Sequence, residues 1–179
     1  MTQTERYSIA LATLEDAHDI GALHVAVWRQ TYSGVMDSDF LATIDVDQWR
    51  SDWVHQITHD LQTRIFVARD TEDNNRLVGF ASAGPARDQP APKPEELYVL
   101  NVDASCHGSG VAQRLFHAVL GNLPAYLWVV DGNERAINFY RKFGFTLGVQ
   151  LKWDEHSQTN DVLMTRDEFI PDSSALPLR

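Results

Sequence analysis

A chain of 179 residues, 44% apolar and 22% charged, has the length of roughly one domain and the proportions of a folded globule rather than a disordered segment. Its 25 acidic residues outnumber 15 Lys and Arg, and the resulting net charge of −10 repels phosphate backbones, so nucleic acid is not an expected partner while a cationic ligand such as an amine is favoured at long range. Neither a membrane span nor a secretion signal is expected: the longest apolar run, Ala125–Val130, falls far short of about 20 residues, and Glu15, Asp16 and Asp19 break the stretch where a signal peptide keeps its apolar core.

Tyr7–Leu11 reads as a first strand. Thr13, followed three residues on by Asp16, resembles a capping box and predicts a helix with Ile20, Leu23, Val27 and Thr31 on one face. Trp49, Trp53, Ile57 and Leu61, each four apart, predict a second helix. Arg64–Arg69 and Arg76–Ala83 read as a hairpin turned by Asp73, Asn74 and Asn75. Four of the seven prolines fall between Pro85 and Pro94, a surface loop. Glu96–Val102 is a long strand, Gly108–Leu120 a helix stopped by Gly121 and Pro124, and Ala125–Val130 a buried strand. Asn133–Phe143 predicts a short helix with Ala136, Tyr140 and Phe143 inward, and Phe145–Trp153 and Asp161–Thr165 two closing strands. This order predicts one α/β (α+β) domain over residues 1–170, a mixed, mostly antiparallel sheet flanked by helices, with 171–179 as a short loose tail. The single cysteine, Cys106, excludes an internal disulfide and a cysteine-rich zinc site, and a reducing, cytoplasmic setting is expected.

The most informative stretch is Glu96–Phe116, ELYVLNVDASCHGSGVAQRLF. A strand enters a turn containing Gly108 and Gly110, and a helix follows at once. Unpaired N–H groups at a helix start, reachable across glycine, form a phosphate site. The letters fail a P-loop, which needs GK[ST] where this chain has GVA. They also fail the dinucleotide fingerprint, which wants a small residue where Gln113 stands. They do resemble motif A of the GCN5-related N-acetyltransferases, with His107, Gly108, Ser109, Gly110, Val111 and Ala112 in its Q/R-x-x-G-x-G/A turn. NERAINFYRKFGF (Asn133–Phe145) is similar to that family's motif B, and WRQTYSGVM (Trp28–Met36) to the helix-loop-helix of small-molecule acetyltransferases. His107 departs from the family's Gln or Arg.

The resemblance implies transfer of the acetyl group of acetyl-CoA to a primary amine of a small molecule or peptide, by direct attack in a ternary complex and without a metal. It implies that the turn His107–Ala112 holds the CoA pyrophosphate. The edge of Leu100, Asn101 and Val102 would pair with the pantetheine arm, and the strands Glu96–Val102 and Ala125–Val130 would splay to admit it. A backbone N–H near Leu100 or Asn101 would face the oxyanion. Tyr140 would protonate the departing thiolate, and Asn133 would cap its helix and reach the pantetheine. Glu96 is the carboxylate expected to take the amine's proton. Trp28, Tyr32 and Trp128, with Trp49 and Trp53 beside them, offer ring faces for a cationic acceptor. Two other readings share these residues: a CoA or metabolite sensor without turnover, and an acyltransferase using another acyl-CoA. The last strands are placed to pair across a homodimer. His55 and His59 lack the Glu of a zincin helix and an evident third ligand, and no GxSxG elbow exists.

Overall fold

The structure is a computed structural model and describes residues 6–31, 44–155 and 159–168. Strand β1 is Tyr7–Leu11. The Thr13 N–H donates to the Asp16 carboxylate at 2.7 Å, as the capping-box spacing predicts. The first turn is a 3₁₀ segment, Leu14–Asp16, and helix α1 proper runs Ala17–Thr31. Helix α2, Val46–His59, is capped by the Asp45 side chain, which accepts from the Asp47 N–H at 2.8 Å. It buries Trp53 but ends before Leu61, which is 89% exposed, so the predicted stripe is one residue too long.

Strands β2 (Arg64–Asp70) and β3 (Arg76–Pro85) form the predicted hairpin, turned through Asn74 and Asn75 at positive φ. Strand β4 is Glu95–Val102, helix α3 Val111–Val119, strand β5 Ala125–Val130 and helix α4 Glu134–Arg141. Strands β6 (Thr146–Asp154) and β7 (Thr159–Arg166) close the described chain. The seven strands lie in the order β1-β2-β3-β4-β5-β7-β6, antiparallel except for β4 and β5.

Apolar side chains fill both faces of the sheet. Leu115, Phe116, Ile137, Phe143 and Met164 pack on the α3/α4 face, and Ile20, Leu23, Trp53 and Phe80 on the α1/α2 face. Ile137 is buried beside Tyr140, an inward position the spacing of α4 left out. The buried Arg166 guanidinium ties the sheet to the ends of α3 and α4. It donates to the carbonyls of Leu123 (3.1 Å), Phe143 (3.1 Å) and Gly121 (2.6 Å), lying between the rings of Phe116 and Phe145. Strands β1 and β6 are the two sheet edges, and β6 exposes Val149, Leu151 and Trp153. No helix among the described residues is long and apolar enough to cross a membrane.

Candidate active site

The site begins with a failure of two strands to stay together. β4 and β5 pair only at Glu95 with Ala125 and Glu96 with Tyr126. Beyond Glu96 the strands separate, and a cavity of about 790 Å³ opens between them, lined by Leu97–Val102 on one side and Leu127–Val130 on the other. A bulge helps to open it. Ser82 pairs with Val99 and Ala83 with Leu97, so Tyr98 is an extra residue on β4, and a bulge bends and twists the strand that carries it. The Tyr98 hydroxyl is anchored on the Pro85 carbonyl at 2.6 Å. Leu100, Asn101 and Val102, expected to meet the pantetheine, stand on this open edge.

At the mouth, Gly108 and Gly110 adopt φ of 82° and 87°, the left-handed region that disfavours side chains. A Cβ at Gly108 would meet nothing within 4 Å, so the space in front of the turn is open. The N–H of His107 is spent on Ala104 (3.2 Å) and that of Ser109 on Cys106 (3.2 Å), while the N–H of Val111 leans on the Ser109 hydroxyl at 3.4 Å. The N–H groups of Gly108, Gly110 and Ala112 make no hydrogen bond among the described residues, which leaves three donors at the start of α3. His107 points its ring at the Val102 carbonyl, 3.3 Å away. Partial burial and the charge of Arg135 both lower its pKa, so it is neutral at pH 7. Arg135, on the first turn of α4, is a permanent cation lining the same cavity.

Asn133 caps α4, accepting from the Ala136 N–H at 3.1 Å, and also lines the cavity. Tyr140 is buried on the inner face of α4 and lines the cavity floor. Burial raises its pKa, so the hydroxyl keeps its proton at neutral pH. Glu96 lies at the closed end of the cleft, 3% exposed. Its carboxylate accepts from the Arg87 guanidinium (2.7 and 3.1 Å), the Arg87 N–H (3.0 Å) and the Tyr126 hydroxyl (2.8 Å). Glu96 is therefore not the unencumbered proton acceptor that its place on the strand suggested.

The α1/α2 side of the cavity is aromatic and acidic. Trp28 and Trp49 lie 5.6 Å apart between centroids, with the His24 ring 4.2 Å from Trp49. Trp128 faces them from β5. Its indole N–H donates to Asp88 at 2.7 Å, and Lys152 sits over its ring at 5.3 Å while also binding Asp88 at 3.1 Å. Trp28 and Trp128 thus line the cavity together, as does Trp49, whereas Trp53 is a core residue that lines a smaller adjoining cavity. Tyr32 lies outside the described residues. Two lining carboxylates were missed. Asp161, paired with Val130 and Lys152 across the sheet, and Asp154 share this wall. Partial burial, then the neighbouring charge of Asp154, pushes the Asp161 carboxyl up to about 6. Their only signal in the sequence is that two acids flank the last turn. Among the described residues no three His, Cys, Asp or Glu side chains gather as a metal site.

Residues 23–145 match the sequence profile of a family described as acetyltransferase (GNAT) family. The chain is 28% identical over 138 residues to an uncharacterized N-acetyltransferase of Bacillus subtilis, covering 74% of this chain and 76% of that one. It is 26% identical over 150 residues to a probable N-acetyltransferase of Mycobacterium tuberculosis, covering 81% and 83%. Among solved structures, the PaiA N-acetyltransferase of Thermoplasma acidophilum in complex with coenzyme A superposes with a TM-score of 0.71 at 19% identity, over 90% of this chain and 98% of that one. At that identity the likeness shows the fold.

Proposed function

This chain belongs to the acetyltransferase (GNAT) family, and on that premise we propose that it moves the acetyl group of acetyl-CoA to a primary amine of a small molecule or peptide within a ternary complex. The observation that carries the proposal is the parting of β4 from β5, with unpaired N–H donors at one end and the protonated, cavity-lining Tyr140 within. The residues present fit acetyl-CoA. Gly108, Gly110, Ala112 and Arg135 would hold the pyrophosphate, and the main chain of Leu100–Val102 would take the pantetheine as an added strand. Acetyl-CoA supplies an activated thioester. The chain's own residues supply the rest.

An amine of lysine-like basicity arrives protonated, and a carboxylate must relieve it. We assign that to Asp161, whose pKa of about 6 lets it be ionised at pH 7 yet accept a proton more readily than an ordinary aspartate. Glu96 would have to break its pair with Arg87 to do the same. Strand alternation turns the N–H of either Leu100 or Asn101 to the open edge, where it would stabilise the oxyanion; such a donor contributes about 2.7–4 kcal/mol elsewhere. The Tyr140 hydroxyl then gives its proton to the thiolate. The cations near the acceptor wall, Arg87 and Lys152, are already paired with Glu96 and Asp88, which favours acetyl over an anionic acyl group such as succinyl.

The test is Tyr140→Phe, which keeps the ring and removes the hydroxyl. Thiol release at saturating acetyl-CoA should fall about 10²–10⁴-fold in kcat and kcat/KM alike, with acetyl-CoA affinity retained. A drop below about threefold would make water the acid. Tight CoA binding with no thiol release from any amine would leave a sensor instead of an enzyme.

A further inference from the structure

Three polar side chains on the α1/α2 side of the sheet, Asn101, Ser82 and His24, border two adjoining cavities with hydrogen-bonding capacity to spare. Of the three buried side-chain atoms that lack a hydrogen-bond partner among the described residues, two are Asn101 Nδ2 and Ser82 Oγ. They share a face: Asn101 pairs with Phe80 and Ser82 with Val99, and Phe80 packs against α1 and α2. Asn101 lines the main cavity. Ser82 lines a second cavity of about 230 Å³, and His24, Trp49, Arg87, Tyr98 and Val99 line both, so the two spaces adjoin. The third group is His24, 7% exposed. The Trp53 indole N–H, which can only donate, gives its hydrogen bond to His24 Nδ1 at 3.3 Å. Burial holds the ring neutral, with its pKa pushed down to about 3. A neutral ring that accepts at Nδ1 must carry its proton on Nε2, and Nε2 makes no hydrogen bond among the described residues.

Buried polar groups are nearly always paired. The Ser82 hydroxyl and the Asn101 N–H₂ are buried without a partner among the described residues, and the His24 Nε2–H stands beside them. Although Gln56, Asp60 and Thr63 also line the smaller cavity, these three groups together offer donors that an acceptor would satisfy. We propose that the amine this enzyme acetylates carries hydrogen-bond-accepting oxygens on its skeleton, as amino sugars, amino alcohols and amino-acid amides do, and that these oxygens seat against Asn101, His24 and Ser82. The proposal rests on the acetyltransferase reading above and narrows its acceptor. A plain alkylamine or a linear polyamine would leave the same donors buried and unmet, and a site built to hydrogen-bond its substrate discriminates strongly against an analogue that cannot reply.

The experiment compares thiol release from acetyl-CoA with glucosamine, serinol and serinamide against hexylamine, isopropylamine and spermidine. At least one oxygenated amine should exceed all three others by 100-fold or more in kcat/KM. Ser82→Ala, a change of one oxygen, should narrow that ratio at least tenfold through the KM of the oxygenated amine, while acetyl-CoA affinity by calorimetry reports an intact fold. His24→Phe, which keeps an aromatic ring, should act in the same direction. Equal or better turnover of hexylamine or spermidine overturns the proposal while leaving the acetyltransferase reading in place. So does a Ser82→Ala enzyme with an unchanged ratio, which would mean that these donors serve bound water. No turnover of any amine overturns the acetyltransferase reading, and this one with it.

Discussion

Replacing Asp161 with Asn should make the protein more stable at neutral pH and less active. The reasoning starts from the carboxyl's pKa of about 6 against an ordinary 3.8. Below pH 4 the group is protonated folded or unfolded and contributes no difference. Between pH 4 and 6 the unfolded chain ionises first, so the folded state binds the extra proton and stability falls as pH rises. Above pH 6 the whole penalty is present. The difference 6 − 3.8, at about 1.4 kcal/mol for each pKa unit, sets a ceiling of about 3 kcal/mol. Asp161 is only half buried, and solvent screening reduces that to about 1 kcal/mol. Asn keeps the shape and can still accept the 3.4 Å contact from the Thr159 hydroxyl. Urea denaturation of both proteins at pH 4.5 and 7.5 decides it. The variant should gain about 1 kcal/mol at pH 7.5 and much less at pH 4.5, while thiol release falls at least tenfold. A gain equal at both pH values, or a variant weaker at pH 7.5, would refute the account.

Gly110→Asp sets bulk and negative charge before the unpaired N–H groups and forces a side chain to φ 87°. Calorimetry should show acetyl-CoA binding weakened at least tenfold, about 1.4 kcal/mol, and unchanged affinity would remove the turn from the site. Arg166→Met strips the hydrogen bonds from three inward carbonyls, each worth about 1.5–3 kcal/mol to a charged donor. Urea denaturation should show a loss of at least about 3 kcal/mol, and a loss under 1 would mean water replaces the guanidinium.

What the sequence shows is what depends on local order. The glycine turn, the Asn133 cap and Tyr140 within NFYRKFGF sit on elements that spacing alone can place, and the succession of strands and helices along the chain, though not the order of strands in the sheet, followed from the hydrophobic pattern. Leu61 was misread because its spacing from Ile57 continues the helix pattern. The Asp60 carboxylate, however, accepts from the N–H groups of Gln62 and Thr63 and turns the chain away. Glu96 lies on the strand where a base was sought, yet its partner Arg87 comes from the proline loop and Tyr126 from the neighbouring strand. Those contacts exist only after folding. Asp154 and Asp161 were invisible for the same reason: strand pairing, not sequence spacing, carries them to the cavity wall. Arg135 reads as an ordinary solvated charge until α4 docks beside the turn.

The open edge of β4 bears on how this enzyme tolerates mutation. From Leu97 to Val102 the strand has β3 on one side and no strand on the other, so what it presents there is peptide groups. Peptide groups are the same whatever side chain they carry. If the pantetheine arm docks on them, an alanine scan of Leu100–Val102 would report packing and acceptor recognition but remain nearly blind to the cofactor contact. Proline, which removes the N–H itself, is the substitution that could read it. A lineage of such enzymes could therefore change nearly every letter along this edge and still hold the same thioester, while its acceptor wall drifts toward new amines.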